Sequence, residues 1–272
     1  QGWINIYKPP KISSFGALKK IKKKFNISKI GHGGTLDPLA EGILPVAIGK
    51  TTKLISFINN EIKDYEFEIK WGESTSTDDL EGEVIAKSLK IPNINEINNK
   101  LGELSETFFQ TPPKSSAIKI NGIRAYKLFK QNKNFEIKKR SVKLYEAKVL
   151  DSSKFNLTKI YIKCGKGFYV RSFARDLAES LGTKGHVFSL KRKKVGKFII
   201  KNSILLDDLL KIRQRQLGFR EIQPSISMLD DILAYEVDDE NLINEISQGK
   251  IVKIKTNDFT KKSLNSNESL KI

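Results

Sequence analysis

Hydrophobic and polar side chains alternate most regularly over residues 65–71, where apolar residues occupy every second position and charged residues lie between them. This period of two is typical of a strand with one face in the core and the other in water. Similar patterns predict strands over 2–7, 83–86, 116–120, 137–150 and 155–164. We expect residues 72–82 to form a long, mobile hairpin tip that joins the strand at 65–71 to the strand at 83–86.

Apolar residues recur at helical spacing in a second set of segments. Ser13 and Ser14, either of which can cap a helix, precede the apolar residues Ala17, Leu18, Ile21 and Phe25. Further helices are predicted over 94–104, 125–129 and 173–181, and from about residue 205. Several antiparallel strands with interspersed helices indicate the α+β class.

Charge narrows the range of partners. The chain has 272 residues, with 49 Lys and Arg against 31 Asp and Glu, a formal net charge of +18. An excess of this size favours a polyanionic partner, most commonly nucleic acid; the alternative is charge that serves solubility alone. No apolar run is long enough to cross a bilayer. With Cys164 as the single cysteine, no internal disulfide is possible, and no secretory signal precedes the first strand, so we expect a cytoplasmic protein.

Residues 31–42, Gly-His-Gly-Gly-Thr-Leu-Asp-Pro-Leu-Ala-Glu-Gly, form the first candidate site. Three glycines within four positions leave the backbone approachable, and Pro38 disfavours helical geometry at Asp37. Asp37 is therefore expected on a constrained turn. The alternative from the local pattern is a glycine-rich connector with an ordinary turn aspartate.

Residues 165–172, Gly-Lys-Gly-Phe-Tyr-Val-Arg-Ser, form the second candidate site, at a predicted junction between strand and helix. Tyr169 and Arg171 are two positions apart and in an extended segment would project to the same face. An aromatic ring beside a bidentate cation suits a nucleobase together with a phosphate or carboxylate. The alternative is a packed tyrosine and a surface arginine. A dense basic run follows at 191–194, a pattern that is usually solvated surface.

These two motifs, together with several others in the same order, resemble the TruB-type tRNA pseudouridine synthases over most of the chain. The matching segments are Gly-Trp…Tyr-Lys-Pro-Pro…Ser-Ser at 2–14, the motif at 31–42, Lys-Asp-Tyr at 63–65, Gln-Thr-Pro-Pro…Ser-Ala-Ile-Lys…Gly…Tyr at 110–126, 166–171, and Leu-Gly…His-Val…Leu-Lys-Arg at 181–192. Each motif alone is weak, but their common order and spacing make chance agreement very improbable.

The resemblance implies a pseudouridine synthase fold, with a mixed, mainly antiparallel sheet, and isomerisation of uridine 55 in the T-loop of tRNA without a metal or organic cofactor. By the same resemblance Asp37 is the catalytic carboxylate, Tyr65 stacks on the flipped base and Arg171 pairs with Asp37. Two routes stay open for Asp37, attack on the ribose C1′ or assistance to a glycal-like intermediate. The residues that line the target nucleotide's pocket in the family correspond to His32, Tyr65, Tyr169 and Leu190. The resemblance also implies a monomer that binds the T-arm of tRNA without an obligate protein partner.

Two features depart from the family pattern. Ser115 stands where many members have an aromatic residue, so one contact of that loop is expected to differ. The division predicted from the sequence is a catalytic domain at 1–225 and a short C-terminal segment at 226–272, which is abbreviated for the PUA-like RNA-binding domain usual in bacterial members. The resemblance to the start of that domain rests on residues 229–231 and 248–250.

Two other functional classes compete with this interpretation. An RNA-binding chaperone without chemistry would have no need of Asp37, Tyr65 and Arg171 together. A hydrolase that uses residues 32–34 as an oxyanion loop lacks the Gly-x-Ser-x-Gly nucleophile motif anywhere in the chain. A zinc site is not predicted, because two histidines and one cysteine offer too few clustered ligands.

Overall fold

The structure is a computed structural model that describes residues 1–213, 221–228, 239–250 and 252. Its strands are β1 Gly2–Lys8, β2 Ile30–His32, β3 Glu41–Ile48, β4 Lys63–Trp71, β5 Glu73–Thr75, β6 Val84–Lys87, β7 Thr107–Gln110, β8 Lys119–Ile120, β9 Ile123–Arg124, β10 Arg140–Asp151, β11 Leu157–Cys164, β12 Gly185–Val195, β13 Phe198–Ile199, β14 Ile204–Leu205 and β15 Ile222–Gln223. Its α-helices are α1 Ser14–Phe25, α2 Ile55–Asn60, α3 Ile94–Gly102, α4 Ala125–Lys130, α5 Val170–Ser180, α6 Leu206–Lys211 and α7 Glu240–Ser247. Short 3-10 helices lie at Gly49–Leu54, Ile200–Asn202 and Ser225–Met228.

One large sheet organises the described residues. Its strands follow the order β14-β1-β3-β12-β4-β11-β10-β7, with β2, β13 and β15 paired to β3, β12 and β1. The β1–β14 and β3–β12 pairs are parallel and the other pairs are antiparallel. The predicted α+β class with a mixed, mainly antiparallel sheet is therefore confirmed.

Strand β4 lies at the centre of this sheet, between β11 and β12. Its side chains are alternately buried and partly exposed, as the sequence pattern predicts. The Phe67 ring meets the ring of Phe173 on α5 edge to face at 6.1 Å. The indole of Trp71 is buried and donates a 2.8 Å hydrogen bond to the Thr158 hydroxyl. Because each large apolar side chain buried here stabilises the fold by about 1.5–3 kcal/mol, β4 is held in a fixed register between its two neighbouring strands.

Helix α1 forms as the sequence predicts. The Ser13 hydroxyl caps its first turn by accepting a 3.0 Å hydrogen bond from the Gly16 N–H, and Asn26 ends the helix in the left-handed conformation. The helix buries Ser14, Ala17, Leu18, Ile21 and Phe25. Its five lysines remain on the solvent side.

The predicted hairpin between residues 65–71 and 83–86 is wrong in its pairing. Strand β6 pairs with the short strand β5 in a separate two-stranded sheet, whereas β4 pairs with β11 and β12. The chain leaves the large sheet at Gly72, which has a positive φ of 89° and donates a 2.7 Å hydrogen bond to the Lys184 carbonyl. The loop between β5 and β6 is held in place by ion pairs from Arg171 and Arg175, so it is not the mobile tip expected from its composition.

Contacts between Cα atoms divide the chain into the units Gln1–Gln223 and Pro224–Ile272. In the second unit, α7 is capped by the Asp239 carboxylate, which accepts hydrogen bonds from two backbone N–H groups. The predicted boundary after residue 225 and the PUA-like character of 226–272 stay predictions, since residues 229–231 lie outside the described residues. Across the described part of the chain, no helix is both long enough and apolar enough to span a membrane.

Gly42 lies where β3 approaches β12 most closely. Its φ is +111°, and a Cβ atom there would overlap the carbonyl oxygen of Arg192. We therefore expect Gly42→Ala to lower the free energy of unfolding by about 2–4 kcal/mol, combining backbone strain with overpacking. The measurement is chemical denaturation followed by circular dichroism.

The matched control is Gly102→Ala, since Gly102 ends α3 and a Cβ atom there would have no neighbour within 4 Å. We expect the control to be neutral or slightly stabilising. Equal stability of the two variants would contradict the proposed close approach.

Candidate active site

The loop that carries Asp37 connects β2 to β3 and is anchored on both sides of that residue. The Leu36 N–H donates to the Ser14 hydroxyl at 2.8 Å, and that hydroxyl donates to the Leu36 carbonyl at 2.9 Å. The Pro38 carbonyl accepts a 2.8 Å hydrogen bond from the Lys11 N–H. Asp37 is therefore on a constrained turn, as the Asp-Pro sequence predicts, but the anchors come from the start of α1 and the turn before it.

The buried side chain of Lys8 also supports the loop that carries Asp37. The Lys8 ammonium donates to the carbonyls of Pro9 and Ile12 at 2.9 and 2.7 Å and approaches that of Pro38 at 3.4 Å. Burial lowers the pKa of Lys8 to about 8, with the charge of Asp37 opposing that shift. Lys8 of the Tyr-Lys-Pro-Pro motif thus helps to hold the loop at Pro38, which is 30 residues further along the sequence.

Arg171, in the first turn of α5, binds the Asp37 carboxylate with two hydrogen bonds. Its Nε lies 2.9 Å from Oδ2 and its Nη2 lies 2.9 Å from Oδ1. The Arg171 side chain is 6% exposed and that of Asp37 is 30% exposed, so the carboxylate keeps a face open to solvent or substrate. A bidentate pair of this kind fixes the orientation of both carboxylate oxygens. The structure thus places the predicted partners in direct contact.

The remaining terminal nitrogen of Arg171 contacts two other loops. Nη1 lies 3.2 Å from Oδ2 of Asp79, donates to the Thr77 carbonyl at 3.1 Å, and donates to the Ser115 hydroxyl at 2.5 Å. Burial raises the pKa of Asp79, and the charge of Arg171 opposes that shift. Ser115 therefore supplies a hydrogen-bond acceptor to the guanidinium.

Asp79 was not predicted from the sequence. Its side chain is 2% exposed, although it lies in a polar loop of a type that is normally solvated. The only local signal is the adjacent pair Asp78-Asp79 among hydroxyl residues. Asp78 pairs with Arg175, one helical turn after Arg171, at 2.7 Å. The two aspartates and two arginines thus fasten the loop to α5.

A cavity of about 330 Å³ opens above the Arg171–Asp37 pair. Five of the six predicted site residues line it: Asp37, Tyr65, Tyr169, Arg171 and Leu190. A cavity of this volume is within the usual range for a small-ligand site. The structure therefore brings together residues that are up to 153 positions apart in the sequence.

Tyr65 and Tyr169 are two of the three aromatic residues that line the cavity, and Phe168 is the third. Burial raises the pKa of Tyr65, and the nearby Arg192 guanidinium opposes the shift. Tyr169 precedes α5, and its backbone N–H and carbonyl are held by the Gln110 side-chain amide at 3.0 and 3.3 Å. Burial also raises the pKa of Tyr169, so both tyrosines are neutral where they line the cavity.

His32 lies on the other side of Asp37, in an adjacent cavity of about 740 Å³ that also reaches Arg171. Its Nδ1 is buried without a hydrogen-bond partner. Burial, with a smaller contribution from Arg192, lowers the pKa of His32. His32 therefore shares this second cavity with Asp37 and Arg171 but does not line the first cavity with Tyr65, Tyr169 and Leu190.

The basic run at 191–194 forms the end of β12 and is not uniformly solvated. Lys191 and Lys193 pair with Glu41 and Glu66 at 2.9 and 2.7 Å, whereas Arg192 is 1% exposed and lines the first cavity. The Arg192 Nε donates to the Ile43 carbonyl at 2.8 Å, and its Nη2 donates to that of Gly34 at 3.0 Å. Strand alternation thus turns one residue of the run inward, where it ties together the two ends of the Asp37 loop.

Taken together, the cavity offers an oriented carboxylate, aromatic surfaces and several cations. Such a site can hold a planar base against a ring while the carboxylate acts at an adjacent sugar carbon. Across the residues that the structure describes, no three His, Cys, Asp or Glu side chains cluster so as to hold a metal ion.

Comparison with known proteins identifies the class of enzyme. A family model described as TruB family pseudouridylate synthase (N terminal domain) matches residues 22–170. A chain from the crystal structure of a Cbf5-Nop10-Gar1 complex superposes with a TM-score of 0.65 at 26% identity, over 84% of this chain and 61% of that one. The present chain thus spans about three fifths of the length of that solved chain. The fold is that of the pseudouridine synthases, which are isomerases.

Curated relatives extend the match along most of the chain. The tRNA pseudouridine synthase B of Ehrlichia ruminantium (strain Gardel) is 44% identical over 85% of this chain and 78% of its own length. The protein of the same name from Caulobacter sp. (strain K31) is 39% identical over 92% of this chain and 81% of its own length. The chain belongs to the TruB family of pseudouridylate synthases.

Asp79→Asn tests whether the buried partner of Arg171 positions the catalytic pair. We expect the single-turnover rate of pseudouridine formation to fall about 10–100-fold, because a charge-assisted hydrogen bond contributes about 1.5–3 kcal/mol. RNA affinity should change little, since Asp79 is buried beneath the guanidinium.

Asp78→Asn is the matched control, because Asp78 pairs with Arg175 and not with Arg171. We expect it to retain most of the rate. Equal losses in the two variants would mean that the loop acts only as a structural element.

Proposed function

We propose that this chain converts uridine 55 in the T-loop of tRNA to pseudouridine, with Asp37 as the catalytic carboxylate. The observation that carries the proposal is the bidentate Arg171–Asp37 pair at the edge of a cavity lined by Tyr65 and Tyr169. The names of the two bacterial relatives, at 44% and 39% identity over most of the chain, support tRNA as the substrate.

Each of the proposed residues has a physical role. A uridine within a folded loop must be flipped out before its glycosidic bond can be reached, and Tyr65 offers the extruded base a stacking surface. Arg171 holds both oxygens of the Asp37 carboxylate and orients it toward the sugar. Tyr169 and Leu190 would line the base pocket, and His32, in the adjacent cavity, would contact the neighbouring part of the nucleotide.

The chemistry requires only groups that the chain itself supplies. The bond from C1′ to N1 breaks, the uracil turns, and C5 joins C1′ while the C5 hydrogen leaves as a proton and N1 gains one. Asp37 either adds to C1′ or promotes a glycal-like intermediate at the sugar, and its position beside Arg171 suits both routes. No metal or organic cofactor enters this scheme. The working unit would be a monomer without an obligate protein partner, acting in the cytoplasm.

The proposal is tested with an unmodified tRNA transcript and a transcript in which U55 is replaced by C. We expect carbodiimide mapping under single-turnover conditions to place pseudouridine at position 55 of the first transcript and nowhere in the second. Asp37→Asn, which keeps the size of the side chain, should bind RNA with near-normal affinity and form no product.

Absence of product with the unaltered chain would refute the enzyme proposal and favour the RNA-binding chaperone. Product at a different uridine would retain the chemistry and reject position 55. Near-normal turnover by Asp37→Asn would remove this residue from the catalytic role.

Salt dependence tests the proposed electrostatic contribution to binding. The chain has a net charge of +18, so we expect its affinity for tRNA to fall at least about tenfold between roughly 50 and 200 mM salt. The reason is that the release of counterions from the RNA phosphates favours binding less as the salt concentration rises. Filter binding at a series of salt concentrations measures the slope. An affinity that is independent of salt would contradict phosphate contacts as a main source of binding energy.

A further inference from the structure

Two buried cations in the wall of the active-site cavity have no carboxylate partner within the part of the chain that the structure describes. Lys63 is 8% exposed, Arg192 is 1% exposed, and both line the cavity. The Lys63 ammonium donates to the carbonyls of Asn59 and Glu61 at 3.2 and 2.7 Å, and the Arg192 guanidinium donates to the carbonyls described above. Among the described residues neither forms an ion pair. Burying a charge without an ion-pair partner costs free energy of folding. The presence of two such charges beside one cavity therefore points to a role at that cavity.

The charges that line the cavity are strongly unbalanced. Asp37 is the one carboxylate among its described lining residues, and it is bound by Arg171. Three further cations, Lys63, Lys166 and Arg192, line the same space. Lys166 is exposed and hydrogen-bonds the Asn60 side chain, whereas the other two are enclosed by protein. The opposite charges of Arg171 and Asp37 offset each other. The buried wall of the cavity therefore keeps the positive charges of Lys63 and Arg192.

Lys63 and Arg192 lie close together beneath Gly34. A Cβ atom placed on Gly34 would be 3.5 Å from Nη1 of Arg192 and 3.8 Å from Cε of Lys63. Burial lowers the pKa of Lys63 to about 8, with the charge of Arg192 adding to the shift. The ammonium thus stays mostly protonated at neutral pH, and two like charges share one side of the cavity.

Negative charge develops in this reaction at a predictable place. When the C1′–N1 bond breaks heterolytically, its electron pair stays on N1, and the detached uracil carries one negative charge spread over N1, O2 and O4. The charge disappears when C5 forms the new bond to C1′, the C5 hydrogen leaves as a proton and N1 gains a proton. Stabilisation of this transient anion by fixed cations in a water-poor cavity would lower the barrier to bond cleavage.

We propose that Lys63 and Arg192 are catalytic residues that stabilise the detached uracil as its anion. The inference rests on the proposed function and adds to it the electrostatic partner of the leaving base. Under this proposal, Asp37 and Arg171 act at the sugar. Lys63 and Arg192 act at the detached base. The test substitutes Lys63 and not Arg192, because Arg192 also hydrogen-bonds the backbone at both ends of the Asp37 loop.

The experiment compares two leaving groups in a tRNA transcript whose target is either uridine or 5-fluorouridine. Fluorine withdraws electrons from the ring, so the fluorinated anion needs less stabilisation by the protein. Fluorine cannot leave C5 as a proton does, so the carbon-linked product of 5-fluorouridine keeps its fluorine and takes up water across N1 and C6. Disappearance of the N-linked nucleoside is therefore followed for both substrates, under single-turnover conditions in denatured, nuclease-digested samples. For Lys63→Met we expect a loss of roughly 100-fold with uridine, comparable to the removal of one oxyanion-hole donor, and a clearly smaller loss with 5-fluorouridine.

Three variants separate charge from structure. Lys63→Arg keeps the cation and should retain most of the rate with both substrates. Lys63→Gln has no charge but can still donate to a backbone carbonyl, and should show the same dependence on leaving group as Lys63→Met. Lys193→Met is the matched control, because Lys193 pairs with Glu66 and is absent from the lining of the cavity, and it should behave like the unaltered protein.

Equal losses with the two substrates in both uncharged variants would overturn the proposal, as would a Lys63→Arg rate as low as that of Lys63→Met. Unchanged rates in both uncharged variants would also overturn it. A lack of product from the unaltered protein with the uridine transcript would instead refute the proposed function, so the two failures are distinguishable.

Discussion

The guanidinium of Arg171 is the point on which the geometry of the active site depends. It binds both oxygens of Asp37 at 2.9 Å and also contacts Asp79 at 3.2 Å and Ser115 at 2.5 Å. One side chain on α5 thus connects three loops that are far apart in the sequence. Because a guanidinium is planar and its donors are fixed in direction, each partner constrains the positions of the others. The Asp37 carboxylate is therefore oriented by tertiary contacts and not by its own turn alone.

Several hydrogen bonds also fix the backbone around Asp37. Ser14 hydrogen-bonds Leu36 on one side, and the ammonium of Lys8 lies beneath the carbonyl of Pro38 on the other. Arg192 adds contacts to carbonyls at the two ends of the loop. A loop fixed at this many points loses little entropy when a substrate binds, so the carboxylate is preorganised for its reaction. Two of these three supports are buried cations, which raise the positive potential of the same site.

Several of the supporting residues were misjudged or missed in the sequence because local pattern does not reveal long-range partners. The local pattern allows either Ser13 or Ser14 as the helix cap; Ser13 fills that role, and Ser14 instead binds the loop that carries Asp37. Arg192 belongs to a basic run of a type that is usually solvated, yet strand alternation buries it. Asp79 lies in a polar segment, and only its pairing with Arg171 explains its burial. The strand at 83–86 was recognised, but its partner was wrongly assigned.

The amino-acid sequence by itself determined the α+β class, the central alternating strand, helix α1, and the motifs that carry Asp37, Tyr65, Tyr169, Arg171 and Leu190. These features follow from periodicity and from short motifs, which depend on neighbours within a few residues. Only the tertiary structure decided that His32 lines a second cavity together with Asp37 and Arg171, and that Ser115 binds Arg171. It also decided that Lys63 and Arg192, which form no ion pair among the described residues, line one cavity as buried cations. Those facts depend on which distant segments meet, and the charge of a site is the sum over all the segments that enclose it.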